Sequence, residues 1–409
     1  MSGEGRWEPL LGGAQAGGAE LARAASDAIL AICDSLAAIE IPPQDIAHVA
    51  LFWAYAAGAY EDDDSVQASY AAAVDRLVDR ISGEHVRHSL FFGLAGEGWV
   101  LAHIANDDAG DVLALVDQAV LEALAVRPWT QPYDLVEGVI GLGIYFVERA
   151  HAEGLARTVA LLDELAVEQD GGVTWRTAPE HMHFGQRESP AGYFNLGLAH
   201  GVAGAIALLG KIAALPAPPP RTRALLDGAT RWLWQHQLPA SPGGRFSAAV
   251  YPGAHAHPAR AAWCYGDPGI AVATWAAALR SGGSIESARE LACGLARRDA
   301  GTTGIVDANL CHGSTGLAHI LNRCYQASRE PALREAAQAW YRRALGARRP
   351  GTGVGGFLSA RPNGKDWFSS PSLLEGGAGV GLALLAATTA TEPSWDRLLL
   401  CDLPTAEPA

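Results

Sequence analysis

The sequence predicts an all-α protein folded as an α/α toroid, with about seven inner and seven outer helices. Two observations predict this fold: a Gly-x-x-Gly pattern recurs six times, each time at the head of an apolar run, and strand-like segments are scarce. Recurrence at a period of a few tens of residues is typical of stacked two-helix units. A ring of such units shares one core, so we expect a single domain over residues 1–409.

The glycine pairs mark the inner helices. Glycines three positions apart share one helix face and let a second backbone approach closely. An amphipathic segment follows each apolar run and predicts the outer helix of the unit, as in DVLALVDQAVLEALAV and ARTVALLDELAVEQ. The six pairs are GLAG (93–96), GVIG (138–141), GVAG (201–204), GDPG (266–269), GSTG (313–316) and GGAG (376–379).

The remaining elements are one helical pair and two short strands. Residues 21–38 and 45–60 are apolar and helical in pattern, and they predict the additional pair near the N-terminus. The segments GGVTWRT (171–177) and GRFSAAVY (244–251) are the strand candidates, because they are rich in β-branched and aromatic residues.

Composition and charge limit the classes of function that the chain could have. The net charge is 30 − 44 = −14, which argues against nucleic acid or an anionic membrane surface as the main ligand. The longest apolar stretch, 196–218, contains His200 and Lys211 and fits a buried helix better than a membrane span. The N-terminus has no secretory signal pattern, and six cysteines in 409 residues are no disulfide framework. We therefore expect a cytoplasmic protein, in which clustered cysteines bind metal or act in catalysis.

Polar residues lie just before four of the glycine pairs. They are Asp134, His200, Cys264 and the adjacent Cys311 and His312. If the inner helices are parallel, all of these positions meet at one rim of the toroid. The rim is therefore the predicted site.

The two cysteines and the histidine suggest a zinc site. Two thiolates and an imidazole suit zinc, and three protein ligands leave a fourth position open, as in catalytic sites. A helix N-terminus also favours thiolates. The Cys311–His312 pair alone would fit a buried cysteine beside a core histidine equally well. The matching position of Cys264 is what favours the metal.

Other polar groups have simpler interpretations. The EDDDSV segment at 61–66 predicts an acidic loop. The histidines of the pairs His181/His183 and His255/His257 are expected in solvated loops, and the cysteines outside the rim are expected to be inert: Cys33, Cys293, Cys324 and Cys401.

Several motifs together resemble the lanthionine synthetase C-like family, the lanthipeptide cyclases. They cover nearly the whole chain in the order YDLVEGVIG, NLGLAHGVAG, RAAWCYGDPG, CHGSTG, LLEGGAGV and LLLCDLP. The resemblance implies an α/α toroid around one central zinc ion, with Cys264, Cys311 and His312 as its ligands. It implies that His200 and Asp134 act in proton transfer.

The resemblance also implies a reaction. The cyclases of this family add cysteine thiols of a precursor peptide to dehydroalanine or dehydrobutyrine. The resulting enolate needs a proton at Cα, and His200 is the best candidate acid, while Asp134 orients it. By resemblance Arg260 and Tyr265 line the site. Arg260 stands four residues before Cys264, about one helical turn, and would offer its charge to the enolate oxygen.

The expected partners follow from this reading, and two alternatives stay open. As an antibiotic-type lanthipeptide enzyme without a dehydratase segment, the chain would act on a dehydrated precursor peptide that carries its leader. A separate dehydratase would supply this peptide, and an exporter would remove the product. The protein would be cytoplasmic or peripheral to a membrane-associated complex. Residues 167–192 form a candidate loop for gripping the peptide.

Two alternative functions stay open. One is a zinc-containing toroid that binds glutathione or peptides. The other is thiol alkylation of the protein prenyltransferase type, which the acidic composition disfavours.

Overall fold

Fourteen α-helices in two layers make up most of the described chain, so the predicted α/α toroid is confirmed. The structure is a computed structural model that describes residues 7–12, 18–83, 87–105, 109–181, 189–361 and 365–406. The inner helices are α2 (Ile46–Ala59), α4 (Leu94–Ile104), α6 (Val139–Glu148), α8 (Val202–Ala213), α10 (Asp267–Ser281), α12 (Ser314–Ser328) and α14 (Gly377–Thr388). The outer helices are α1 (Gly18–Ala38), α3 (Asp64–Ile81), α5 (Gly110–Ala125), α7 (Ala152–Leu165), α9 (Thr222–Gln235), α11 (Glu286–Ala296) and α13 (Pro331–Gly346).

The inner helices form a closed ring. Each packs against the next, from α2 through α4, α6, α8, α10 and α12 to α14, and α14 packs against α2. The two layers differ as expected: α14 is buried along nearly its whole length, whereas α9 buries one stripe that includes Leu225, Ala229 and Trp232. Truncating a buried leucine such as Leu225 to alanine would lower the free energy of unfolding by about 2–5 kcal/mol.

The N-terminal helices do not pair with each other as predicted. Both exist, but α2 packs against α3, while α1 packs against α14 and α13. The reason is ring closure. No α-helix of the described chain follows α14 to cover its outer face, so α1 takes that place.

The glycine pairs have a more local role than the sequence suggested. The first glycine of each pair is the N-cap of its inner helix. In several units the first helical N–H groups donate to carbonyl oxygens seven residues earlier, as from Gly141 to Asp134 and from Gly316 to Asn309. A Cβ on Gly316 would lie 1.8 Å from the Leu310 carbonyl oxygen, so only glycine lets the preceding loop fold back this tightly.

The toroid also contains two small β-sheets. Strands β1 (Ala166–Gln169), β2 (Gly172–Thr177), β3 (Tyr193–Asn195) and β4 (Ala249–Val250) form an antiparallel sheet in that order, and β5 (Ser359–Ala360) pairs with β6 (Trp367–Phe368). The first predicted strand is confirmed as β2. Only the last residues of the second predicted strand are extended, as β4. The candidate gripping loop, 167–192, includes β2, and its residues 182–188 lie outside the described part.

The C-terminal segment packs across the C-terminal halves of the inner helices. Arg323 of α12 donates to both carboxylate oxygens of Asp396, at 2.7 and 2.8 Å, and Arg280 of α10 donates to Asp402. The Trp263 indole donates to the Leu399 carbonyl at 2.9 Å. Among the described helices, none has both the length and the apolar character needed to cross a membrane.

Candidate active site

The loops that precede the inner helices are linked to one another around one rim. Backbone N–H groups bond to the next loop from Phe91 to Val136 at 3.3 Å and from Leu135 to Ala199 at 3.1 Å. The chain of bonds continues from Ala199 to Cys264, from Trp263 to Cys311 and from Cys311 to Leu374, at 3.4, 2.9 and 2.9 Å. Because each unit folds back on its own helix and bonds to its neighbour, side chains far apart in sequence reach one place.

Cys264, Cys311 and His312 meet at this rim. One potential ligand atom from each lies within 4.8 Å of the others, and no other such group of three occurs within the described ranges. All three are largely buried. The side chain of Asn309 supports the histidine. Its amide nitrogen lies 3.2 Å from Nε2 of His312, and its Oδ1 accepts the backbone N–H of His312 at 2.9 Å. Asp307 accepts from Asn309 in turn, at 2.9 Å.

The thiols of Cys264 and Cys311 influence each other's ionisation. The hydrogen bond from Cys311 lowers the pKa of the Cys264 thiol well below its ordinary value, against the opposing effect of burial, and His312 and Arg260 lower it further. The same hydrogen bond raises the pKa of Cys311 well above its ordinary value, and burial and the Glu375 charge add to this. These opposite shifts favour ionisation of Cys264 over that of Cys311.

The residues fit a zinc ion. Two sulfur donors and one imidazole within a few ångströms are a usual zinc set, and three ligands leave one position for another group. The start of α12 lies two residues after His312, and its dipole partly offsets the raised pKa of Cys311.

His200 and Asp134 lie beside this cluster as a hydrogen-bonded pair. His200 Nδ1 is 2.6 Å from Asp134 Oδ2, and the other oxygen of Asp134 accepts the backbone N–H of Glu137 at 2.8 Å. Asp134 thus caps the turn before α6 and also contacts His200. The ring of Tyr265 lies 5.9 Å from that of His200. Asn195 donates to the Tyr265 hydroxyl at 3.4 Å.

Arg260 faces the same cavity by a different route from the one expected. No helix runs from Arg260 to Cys264; these residues form irregular backbone before α10, so the argument from one helical turn is wrong. The chain there instead bends, with the Ala262 N–H bonded to the Tyr265 carbonyl at 3.1 Å. Arg260 is exposed to the cavity, and its charge contributes to the low pKa of Cys264.

A cavity of about 730 Å³ is lined by Cys264, Cys311, His312, His200, Tyr265 and Arg260. Its lining includes residues that the sequence analysis did not single out: Asp45, His48, Phe92, Val306 and Glu375. Glu375 stands directly before a glycine pair, so the repeat pattern itself could have indicated it. Asp45 and His48 belong to α2 and the turn before it, the one inner unit without a Gly-x-x-Gly signal.

The simpler interpretations fit most of the remaining polar groups, although residues 64–66 of the predicted acidic loop form the start of α3. Asp63 of the acidic segment is the N-cap of α3 and accepts from Ser65 and Val66. His255 and His257 are exposed, and His183 lies outside the described residues. Burial raises the pKa of both Cys33 and Cys324 to about 12, so these thiols stay protonated.

Comparison with known proteins places this geometry in context. The sequence model of the lanthionine synthetase C-like protein family matches residues 46–400. Among solved structures, nisin cyclase superposes with a TM-score of 0.72 at 18% sequence identity, covering 93% of this chain and 98% of its own. No curated protein sequence matches the chain.

Proposed function

The chain belongs to the lanthionine synthetase C-like family, and on that premise we propose that it is a zinc-dependent lanthipeptide cyclase. It would add cysteine thiols of a dehydrated precursor peptide to dehydroalanine or dehydrobutyrine and form thioether rings. The observation that carries this proposal is the cluster of Cys264, Cys311 and His312 in a cavity that is also lined by His200, the partner of Asp134.

The metal would be held by Cys264, Cys311 and His312. A bound zinc ion would supply a thiolate at neutral pH, because coordination removes the proton of a thiol whose ordinary pKa is about 8.5. The protein's own thiolates offset the charge of the ion, which leaves electron density on a third sulfur. Asn309 fixes the orientation of the His312 ring from behind.

The Asp134–His200 pair carries a proton on the metal side of the cavity. Tyr265, next to Cys264 in sequence, has its ring against that of His200, so the imidazole lies close to the cluster. Asp134 holds Nδ1 and thereby keeps Nε2 as the nitrogen that exchanges protons. Arg260 provides a fixed positive charge for the enolate oxygen.

The substrate is a peptide with its leader, supplied by a separate dehydratase and passed on to an exporter. A cavity of about 730 Å³ holds a few residues, so most of the precursor stays outside. The sheet of β1 to β4, which includes part of segment 167–192, is where we place the grip on that outer portion. Among the described elements it projects backbone edges rather than a packed helix face.

The test uses the purified, zinc-loaded protein and a dehydrated peptide that carries cysteine and dehydroalanine. Addition leaves the mass of the peptide unchanged but removes thiols that iodoacetamide can alkylate. We expect thiols to disappear far faster than without protein. Persistent thiols would favour a glutathione- or peptide-binding toroid instead, and a gain in mass at each thiol would favour alkylation of the prenyltransferase type.

A further inference from the structure

A second Asp–His pair lines the cavity. His48, on the first turn of α2, has its Nδ1 3.4 Å from Oδ1 of Asp45, and both residues belong to the lining. The side chain of His48 is 7% exposed and that of Asp45 11%. The His48 ring packs against Phe91 with its centroid 6.1 Å away. Its Nε2 has no hydrogen-bond partner among the described residues and is left for the cavity.

This pair belongs to the helix that lies across the ring from those preceded by His200 and Cys264. In the ring of seven inner helices, α2 is three places from α8 by way of α4 and α6, and three places from α10 by way of α14 and α12. Three is the largest separation that a ring of seven allows. Helices α8 and α10 are those preceded by His200 and Cys264, while Cys311 and His312 precede α12, two places from α2. A peptide in the cavity therefore has His200 and Cys264 on one side and His48 on the other.

The proposed reaction needs two proton transfers at two places. The thiol loses its proton and its sulfur forms a bond to Cβ, while the π electrons move to Cα and the adjoining carbonyl oxygen. A proton must then reach Cα to restore the carbonyl. The peptide gains and loses no atoms overall, because the proton lost at sulfur is balanced by the proton gained at carbon. A single histidine would have to serve both faces of the alkene.

We propose that His48, oriented by Asp45, is the acid that protonates Cα, and that His200 takes the thiol proton on the metal side. This inference rests on the proposed cyclase function and assigns to His48 the step for which the sequence alone favoured His200. Attack from one wall and protonation from the opposite wall fix a single configuration at Cα. His48 therefore controls the stereochemistry of the ring as well as its rate.

A comparison within the molecule separates this role from a structural one. His103 of α4 is also a buried histidine paired with a carboxylate, Glu148, at 2.9 Å. Its other nitrogen is 2.9 Å from the Tyr55 hydroxyl, so both of its ring nitrogens have protein partners, and it does not line the cavity. His48 has one nitrogen engaged and one directed at the cavity. His103 is therefore the matched control.

The experiment compares His48→Gln with His103→Gln in the zinc-loaded protein. Thiol loss is followed over time, and the lanthionine in the hydrolysed product is resolved by chiral chromatography. We expect His48→Gln to keep zinc, to slow cyclisation by about 10²–10⁴-fold and to give a mixture of configurations at Cα, because water then protonates either face. His103→Gln should lower thermal stability and still give one configuration.

A contact measurement on the wild type adds a readout independent of turnover. A dehydrated peptide with its cysteines replaced by alanine cannot cyclise, and its binding should shift the imidazole NMR signals of His48 but not those of His103. The signals are assigned with whichever of His48→Gln and His48→Phe folds.

The outcomes separate this inference from the function on which it rests. Wild-type protein that forms no thioether refutes the proposed function. If the wild type is active and the folded His48→Gln variant still gives one configuration at Cα, whatever its rate of cyclisation, the assignment of His48 is overturned. A His48 NMR signal that does not shift when the peptide binds overturns it as well.

Discussion

Replacing Asp134 by asparagine removes one contact of the His200 imidazole and leaves the local backbone intact. Asp134 is 2% exposed, and its two oxygens have separate partners. One accepts from the Glu137 backbone at 2.8 Å, a bond that the asparagine carbonyl keeps. The other is 2.6 Å from His200 Nδ1, where the asparagine amide would present a donor and favour the wrong tautomer of the ring.

The magnitude follows from that single lost contact. A hydrogen bond to a charged group contributes about 1.5–3 kcal/mol. At about 1.36 kcal/mol for each factor of ten, the loss corresponds to a rate about 10- to 160-fold lower. Zinc content should not change, because Cys264, Cys311 and His312 are untouched.

The assay is the rate of thiol loss at saturating peptide, with zinc measured in the same sample. Asp117→Asn is the matched control, since Asp117 is a buried aspartate of the outer layer that binds Tyr145 at 2.5 Å and Arg149 at 2.9 Å. It should destabilise the fold without changing the rate per folded molecule. An unchanged rate in Asp134→Asn would refute the role of the pair and leave Asp134 as a capping residue only.

Three further outcomes are expected. His200→Asn should retain zinc and slow cyclisation by about 10²–10⁴-fold, because a proton carrier is lost; a wild-type rate would make His200 a packing residue. Cys311→Ala should lose the metal in elemental analysis, whereas full occupancy would exclude the proposed ligand set. Burial opposes ionisation of Asp396, but the charges and hydrogen bonds of Arg323 and His319 together outweigh it and lower the pKa from 3.8 to about 2. A lowered pKa contributes stability that is present above about pH 4 and lost as the pH falls towards 2, about 2 kcal/mol here. The free energy of unfolding of wild type relative to Asp396→Asn should therefore fall by that amount between about pH 5 and about pH 2, and a constant difference would contradict it.

The glycine pairs made most of the fold predictable from the sequence. Each pair marks the first turn of an inner helix, because only glycine allows the preceding loop to fold back on that turn. The same periodicity indicated where the chemistry would lie, since polar residues just before several pairs must then share a rim. Cys264 and His312 are brought together from different units in this way.

Features that depend on long-range packing were not predictable in the same way. The placement of α1 against α14 follows from closure of the ring, which no local pattern encodes. Strands β3 to β6 are two or three residues long, and their pairing depends on partners distant in sequence. The sequence did not indicate a role for His48, because α2 lacks the glycine pair and an isolated histidine on an apolar helix is usually a core residue.

The central claim is that one metal ion held by Cys264, Cys311 and His312 makes the cavity reactive towards peptide thiols. The most direct test adds zinc back to metal-free protein while the remaining thiols of a dehydrated peptide are counted. We expect thioether formation to rise in proportion to zinc and to saturate at one ion per chain, and to stay at the uncatalysed rate in Cys311→Ala at every zinc concentration. Full activity in the metal-free wild type, or zinc-dependent activity that survives in Cys311→Ala, would contradict the claim.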